Sequence, residues 1–268
     1  MIILQAIFLG IIEGLTEFLP ISSTGHLVVA EKLIGYKDAA ELFTVVIQIG
    51  AIAAIIWHFR QDLIDKVTGL FKKDKQVLRF WQLWILATIP AGIAGLLLDK
   101  HLSKFATPGV VAISLILGGL VIWAIENYHQ AKPSRATPQL DKLTTKQALQ
   151  VGCYQIVSLI PGVSRSGATI MGGLVSGLDR VTATTLSFYL SLPILILAGG
   201  YKLLKDGDKI SQITGGSMAL VLGTVAAFVS ALIVVKWLIK YVSHNDFKIF
   251  AYYRVALGAL ILIVLAVR

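Results

Sequence analysis

Residues 106–125 read ATPGVVAISLILGGLVIWAI and residues 215–235 read GGSMALVLGTVAAFVSALIVV, with no charged side chain in either. About 20 such residues in helical form cross a hydrocarbon layer of about 30 Å. A soluble helix of that length would keep a polar face, and neither stretch has one. The same pattern predicts six spans, at 41–58, 80–98, 106–126, 181–201, 214–238 and 248–267. Composition agrees: 56% of residues are hydrophobic and 15% charged, whereas soluble domains carry about 45–50% and about 25%. The fold class is an all-α polytopic membrane protein.

The net charge of +9 does not point to nucleic acid, because the basic residues sit between the apolar spans. Arg60, Lys66, Lys72, Lys73, Lys75 and Arg79 share one connector, and Lys132, Arg135, Lys142 and Lys146 another. Anionic lipids and the positive-inside rule account for them. That rule puts 60–79, 127–147 and 236–248 in the cytoplasm and both termini outside. Trp57, Trp81, Trp84, Trp123 and Trp237 fall at span ends on the cytoplasmic side, as an interfacial belt does. Cys153 is the only cysteine, so no intramolecular disulfide forms. The first apolar stretch lacks a basic n-region and carries Glu13 and Glu17, which is not the pattern of a cleaved signal.

Two apolar stretches, 1–34 and 148–178, are interrupted by Pro, Ser and Gly. Either half of such a stretch enters a membrane deeply but barely crosses it. Each is expected to be a re-entrant helix–loop–helix hairpin, tolerated at depth only beside protein or a polar cavity. The two are also alike: Gly10-Ile-Ile-Glu13 is answered by Gly152-Cys-Tyr-Gln155, and Pro20-Ile-Ser-Ser-Thr-Gly25 by Pro161-Gly-Val-Ser-Arg-Ser-Gly167. Three spans follow each hairpin, an odd number, so the second half lies upside down relative to the first. The organisation is one membrane domain in two inverted repeats, 1–127 and 148–268, joined by a connector holding Pro133 and Pro138. The mouth of the first hairpin faces outward.

The densest polar segment is Glu13-Gly-Leu-Thr-Glu17-Phe-Leu-Pro-Ile-Ser22-Ser23-Thr24-Gly25-His26. Glu13 and Glu17 share a helix face, and intramembrane carboxylates need a partner, a proton or a cation. A hard divalent cation such as Mg²⁺ satisfies both when phosphate and water complete its shell. The structural alternative is one interfacial and one protonated glutamate. Pro20 ends the first half-helix, and Ser22, Ser23 and Thr24 cap the second. The same helix N-terminus makes a phosphate cradle, with Gly25 admitting the ligand. Ser23 needs a base to act as nucleophile, and His26, three residues on, is expected to supply it.

The second motif is Pro161-Gly-Val-Ser164-Arg165-Ser166-Gly167-Ala-Thr169. Arg165 clamps a phosphate with help from Ser164, Ser166 and Thr169, or else pairs structurally with Glu13 or Glu17. Gln155, the counterpart of Glu13, hydrogen-bonds the site without charge. Gln48 reads as an interhelical hydrogen-bonding amide.

EGLTEFLPISSTGH and PGVSRSGAT resemble the two signature motifs of the bacterial undecaprenyl-diphosphatase family, also called the bacitracin resistance protein family, and length, span count and motif order match along the chain. The resemblance implies dephosphorylation of undecaprenyl diphosphate, recycling the lipid carrier for envelope polymers. It implies a glutamate motif at Glu13 and Glu17 supporting a divalent cation (Mg²⁺ or Ca²⁺). It also implies a nucleophile at Ser23, proton transfer at His26 and diphosphate binding at Arg165. The partners are then the polyprenyl diphosphate and membrane lipids, with homodimerisation left open. A flippase for the polyprenyl phosphate is the rival reading, since inverted repeats with broken helices are a transporter architecture.

Overall fold

The computed structural model describes residues 1–36, 38, 42–102, 105, 107–128 and 137–267, with side chains excepted at 99–102, 211 and 212. Lys132, Pro133 and Arg135 of the central connector lie outside the described residues. Eleven α-helices are seen among the described residues, with no strand. They are α1 (Ile2–Thr16), α2 (Ser23–Ile34), α3 (Leu42–His58), α4 (Arg60–Phe71), α5 (Lys75–Leu102), α6 (Pro108–Tyr128), α7 (Thr145–Ile156), α8 (Arg165–Val175), α9 (Arg180–Asp206), α10 (Gly216–Val242) and α11 (Lys248–Val267).

Five of these, α5, α6, α9, α10 and α11, are long and apolar enough to cross a membrane. The pair α3 and α4, bent by 74° at their junction, makes a sixth crossing if taken as one broken span. The six predicted spans therefore fall on six helices, and the chain is a multi-pass membrane protein. The outward faces are apolar, as lipid contact requires: Leu96, Leu97 and Ile233 are exposed. The tryptophans divide. Trp57, Trp123 and Trp237 are exposed, whereas Trp84 turns inward and donates from its indole N–H to the Tyr189 carbonyl at 2.9 Å. Trp81 likewise donates to the Lys66 carbonyl at 3.1 Å. A partly buried indole N–H needs such a partner, and these two bonds tie α5 to α4 and to α9.

Between the long helices lie two short pairs, α1–α2 and α7–α8. Both break in the same way. Ser22 and Ser164 have positive φ, 70° and 71°, and each caps the following helix by accepting from Gly25 N at 3.3 Å and Gly167 N at 3.1 Å. Each second helix ends near a left-handed glycine, Gly35 (φ 67°) or Gly177 (φ 83°). These residues recur at one constant offset, which also relates Gly10 to Gly152 and Glu13 to Gln155.

The packing is exchanged between the halves: α1 lies along α10, α7 lies along α5, and α6 lies along α11. Small residues allow the contact. A Cβ on Gly10 would fall 2.1 Å from the Gly223 carbonyl oxygen, and one on Gly152 would fall 2.5 Å from that of Ala87. Helix pairs in lipid gain stability from such close backbone approach, since apolar surface gains little by leaving hydrocarbon. Gly10→Val and Gly152→Val are therefore each expected to cost about 1–3 kcal/mol by overpacking. Gly200→Ala, inside α9 at a position with nothing within 4 Å, should instead hold or raise stability, by up to about 1 kcal/mol. Thermal unfolding of the solubilised protein measures all three.

Candidate active site

The two breaks face each other. Ser166 of the second donates its hydroxyl to the Leu19 carbonyl of the first at 2.7 Å. Arg165, at the start of α8, reaches across and donates from Nη2 to Glu17 Oε1 at 2.9 Å. The other oxygen of the same carboxylate accepts a hydrogen bond from Ser23 Oγ, at the start of α2. Glu17 is thus the meeting point of both helix N-termini, and all three side chains are largely buried.

This differs from the expectation for His26. Its Nδ1 lies 2.7 Å from the Ser22 carbonyl oxygen, which can only accept, so Nδ1 carries the proton. Nε2 then accepts from the Tyr253 hydroxyl at 2.7 Å, and the two rings stack with centroids 5.6 Å apart. Both ring nitrogens are engaged away from Ser23. In the first helical turn a residue three positions on can cap or back-bond, but the carboxylate closing the previous helix lies across the break from Ser23. That carboxylate, Glu17, is the acceptor in place.

The other predicted residues divide. Ser22 and Ser164 spend their hydroxyls as caps, and Ser164 Oγ also lies 3.0 Å from Ser166 Oγ. Thr169 bonds Ser187 Oγ at 2.7 Å and its own helix backbone at 2.9 Å, so it braces α8 against α9. Arg165 Nη1 reaches the Ser187 carbonyl at 3.3 Å, while its Nε is buried with no hydrogen-bond partner. Thr24 is exposed. The smallness of Gly25 serves packing, because a Cβ there would meet Val111 on α6 at 3.2 Å.

Glu13 lies one turn before Glu17 and is fully buried. Neither of its oxygens makes a hydrogen bond of normal geometry, and Glu17 and Gln48 are the polar side chains that face it. Gln155 is equally buried and its amide atoms are equally unpartnered. Buried polar atoms without partners are uncommon in native proteins, and each asks for a ligand, an ion or water. Among the described residues no group of three or more His, Cys, Asp or Glu side chains comes together.

The sequence model of the family described as bacitracin resistance protein BacA matches residues 6–260. The chain belongs to that family. Undecaprenyl-diphosphatase 3 of Acinetobacter baylyi is 46% identical over 263 residues, 97% of each chain. Undecaprenyl-diphosphatase 1 of Burkholderia ambifaria is 45% identical over 267 residues, covering 98% of this chain and 95% of its own. Undecaprenyl-diphosphatase of Nitrosomonas europaea is 44% identical over 266 residues, with 98% and 94% covered. Both buried motifs of this BacA-family chain lie inside the matched region.

Three residues at this centre escaped the sequence reading: Ser187, Tyr253 and Arg254. Ser187 sits among Ser and Thr residues that look alike in sequence. Tyr253 resembles any interfacial tyrosine. Arg254 carried a signal, because a lone arginine inside FAYYRVALGALILI is unusual in an apolar span.

The ion pair between Glu17 and Arg165 allows a direct test of what the centre is built for. Removing one partner of a buried pair costs about 3–5 kcal/mol, while replacing both with apolar residues is often neutral. Glu17→Leu and Arg165→Leu are each expected to lower the unfolding temperature. The double variant should recover most of that loss with no activity, measured by thermal unfolding in detergent.

Proposed function

We propose that this chain hydrolyses undecaprenyl diphosphate to undecaprenyl phosphate and inorganic phosphate in the bacterial cell membrane, recycling the lipid carrier of envelope polymers. The observation that carries the chemistry is the Ser23–Glu17–Arg165 array: a nucleophile, its proton acceptor and an anion-binding cation in one buried contact. The names of relatives aligned over nearly their whole length supply the substrate, and they are names of hydrolases, which does not favour the flippase.

Ser23 Oγ attacks the terminal phosphorus and passes its proton to Glu17. The bond from that phosphorus to the bridging oxygen breaks, and the lipid monophosphate leaves. Water then hydrolyses the phosphoserine, and Glu17 returns the proton to Ser23. Arg165, through its unpartnered Nε, steadies the phosphoryl oxygens, whose charge is the main demand of such transfers. His26, held by Ser22 and Tyr253, takes the proton of the attacking water only after its Nε2 gives up the Tyr253 hydroxyl, and passes that proton on to the departing phosphate. Ser164, Ser166 and Thr169 keep α8 in place beneath Arg165.

The donor set fits a hard divalent cation: Glu13 offers two buried, unpartnered oxygens one helical turn from Glu17. Glu13 and Glu17 would hold Mg²⁺ or Ca²⁺, which when bound neutralises phosphoryl oxygens. Two carboxylates with substrate and water are the usual environment of Mg²⁺, whereas an all-protein Ca²⁺ cage needs about 6–8 oxygens.

The site is reached, in this reading, by two re-entrant hairpins, α1–α2 and α7–α8, belonging to inverted repeats 1–127 and 148–268, with the first mouth facing the periplasm. Supporting this, α1 has 15 residues, which at 1.5 Å each reach only about 22 Å. The constant offset between the two breaks and the exchanged packing of α1 and α7 are what a two-fold internal repeat produces.

Phosphate release from a polyprenyl diphosphate by detergent-solubilised protein tests the function. Release is expected to be lost in EDTA and restored by Mg²⁺, and to fall strongly in Glu13→Gln. Ser23→Ala should lower it by at least about 100-fold; near-normal release from that variant would move the attack to water. A folded wild type that releases nothing, with lipid and metal supplied, would sink the hydrolase and leave the transporter.

A further inference from the structure

Among the described residues Arg254 is the largest side chain buried completely, and it lies within the apolar helix α11. Its guanidinium has five N–H donors, and the surroundings offer five acceptors. Nε donates to the Leu115 carbonyl at 3.3 Å and Nη2 to that of Ser114 at 3.1 Å, both on α6. Nη1 donates to Pro20 O at 3.0 Å and to Val163 O at 3.1 Å, and Nη2 also donates to Gly162 O at 3.2 Å. None of these acceptors is a carboxylate. The positive charge is therefore offset only by carbonyl dipoles.

The acceptors decide what the arginine does. Pro20 belongs to the break that delivers Ser23, and Gly162 and Val163 to the break that delivers Arg165. A broken helix leaves carbonyls without an intrahelical partner, and inside an apolar array those groups must be satisfied by other protein groups. One guanidinium satisfies carbonyls of both breaks at once and ties them to α6. Its fixed planar fork sets the distance and angle between the two backbones, which a point-like ammonium with three donors cannot reproduce. Space is reserved for it: a Cβ on Gly118 of α6 would lie 2.1 Å from Nη2.

We propose that Arg254 is a positioning residue for the phosphatase reaction, registering the Ser23 backbone against the Arg165 backbone without touching substrate; this rests on the hydrolase reading above. A displacement of about 1 Å at a reacting pair costs on the order of 100-fold in rate. The same residue adds a second positive charge behind the breaks, beside that of Arg165.

The test compares Arg254→Lys with Arg180→Lys. Arg180 is also inward-facing, bonded to Glu126 at 3.1 and 2.5 Å, but none of its bonds reaches either break. Both variants should lose thermal stability. Arg254→Lys is expected to lower kcat for phosphate release about 10- to 100-fold with KM changed less than about twofold, while Arg180→Lys keeps the wild-type kcat. Equal falls in kcat at matched stability, or a wild-type kcat in Arg254→Lys, would overturn the proposal. Should Arg254→Lys fail to fold, Gly118→Ala decides, since it retains the arginine and crowds Nη2. A lowered kcat there supports registration and an unchanged one refutes it. Loss of all release from the wild type itself would instead be a failure of the hydrolase reading.

Discussion

A backbone that stops being helical inside an apolar protein must find partners for its own N–H and C=O groups. That constraint organises this molecule. Two helices break, at 17–22 and 157–164, and the residues around each break are chosen to satisfy the exposed peptide groups. Ser22 and Ser164 accept from backbone N–H groups, Ser166 donates to the Leu19 carbonyl, and Arg254 gathers carbonyls from both breaks and from α6. With each serine occupied in this way, the N-terminal turns of α2 and α8 meet, bringing Ser23 and Arg165 to one carboxylate.

Glu17 then carries two duties. It neutralises Arg165 and it accepts from Ser23. A buried ion pair of this kind contributes little net stability, because desolvating both charges offsets most of their attraction. Its presence in an otherwise apolar array makes sense as chemistry instead. In the proposed reaction the arginine exchanges that carboxylate for a phosphate and the carboxylate takes a proton. Glu13, one turn away, has two buried oxygens with no hydrogen-bond partner.

The long helices serve this centre by coming close enough to enclose it. Gly10 and Gly152 let the short helices α1 and α7 lie against α10 and α5, and Gly118 leaves the room that Arg254 fills. These glycines look alike in sequence, yet they act differently: two permit backbone approach and one permits a side chain. Gly25, read as a point of phosphate approach, also lets α2 sit close to Val111.

By itself the sequence determined the polytopic all-helical class, the two interrupted stretches and the unusual polar residues inside them, Glu13, Glu17, Ser23, His26 and Arg165, because each depends on local pattern: uninterrupted apolar length, Pro-Ser-Gly breaks, and charge where charge is costly. Pairings were not legible. The periodicity of one helix says which residues share its face, but not which residue of a distant helix will oppose them. So the donation of Ser23 to Glu17 rather than His26, the hold of Tyr253 on His26, and the reach of Arg254 to both breaks were decided only when α11 packed along α6 and the two short pairs met. Tertiary packing settles such contacts because a hydrogen bond depends on tenths of an ångström between segments that chain order leaves free.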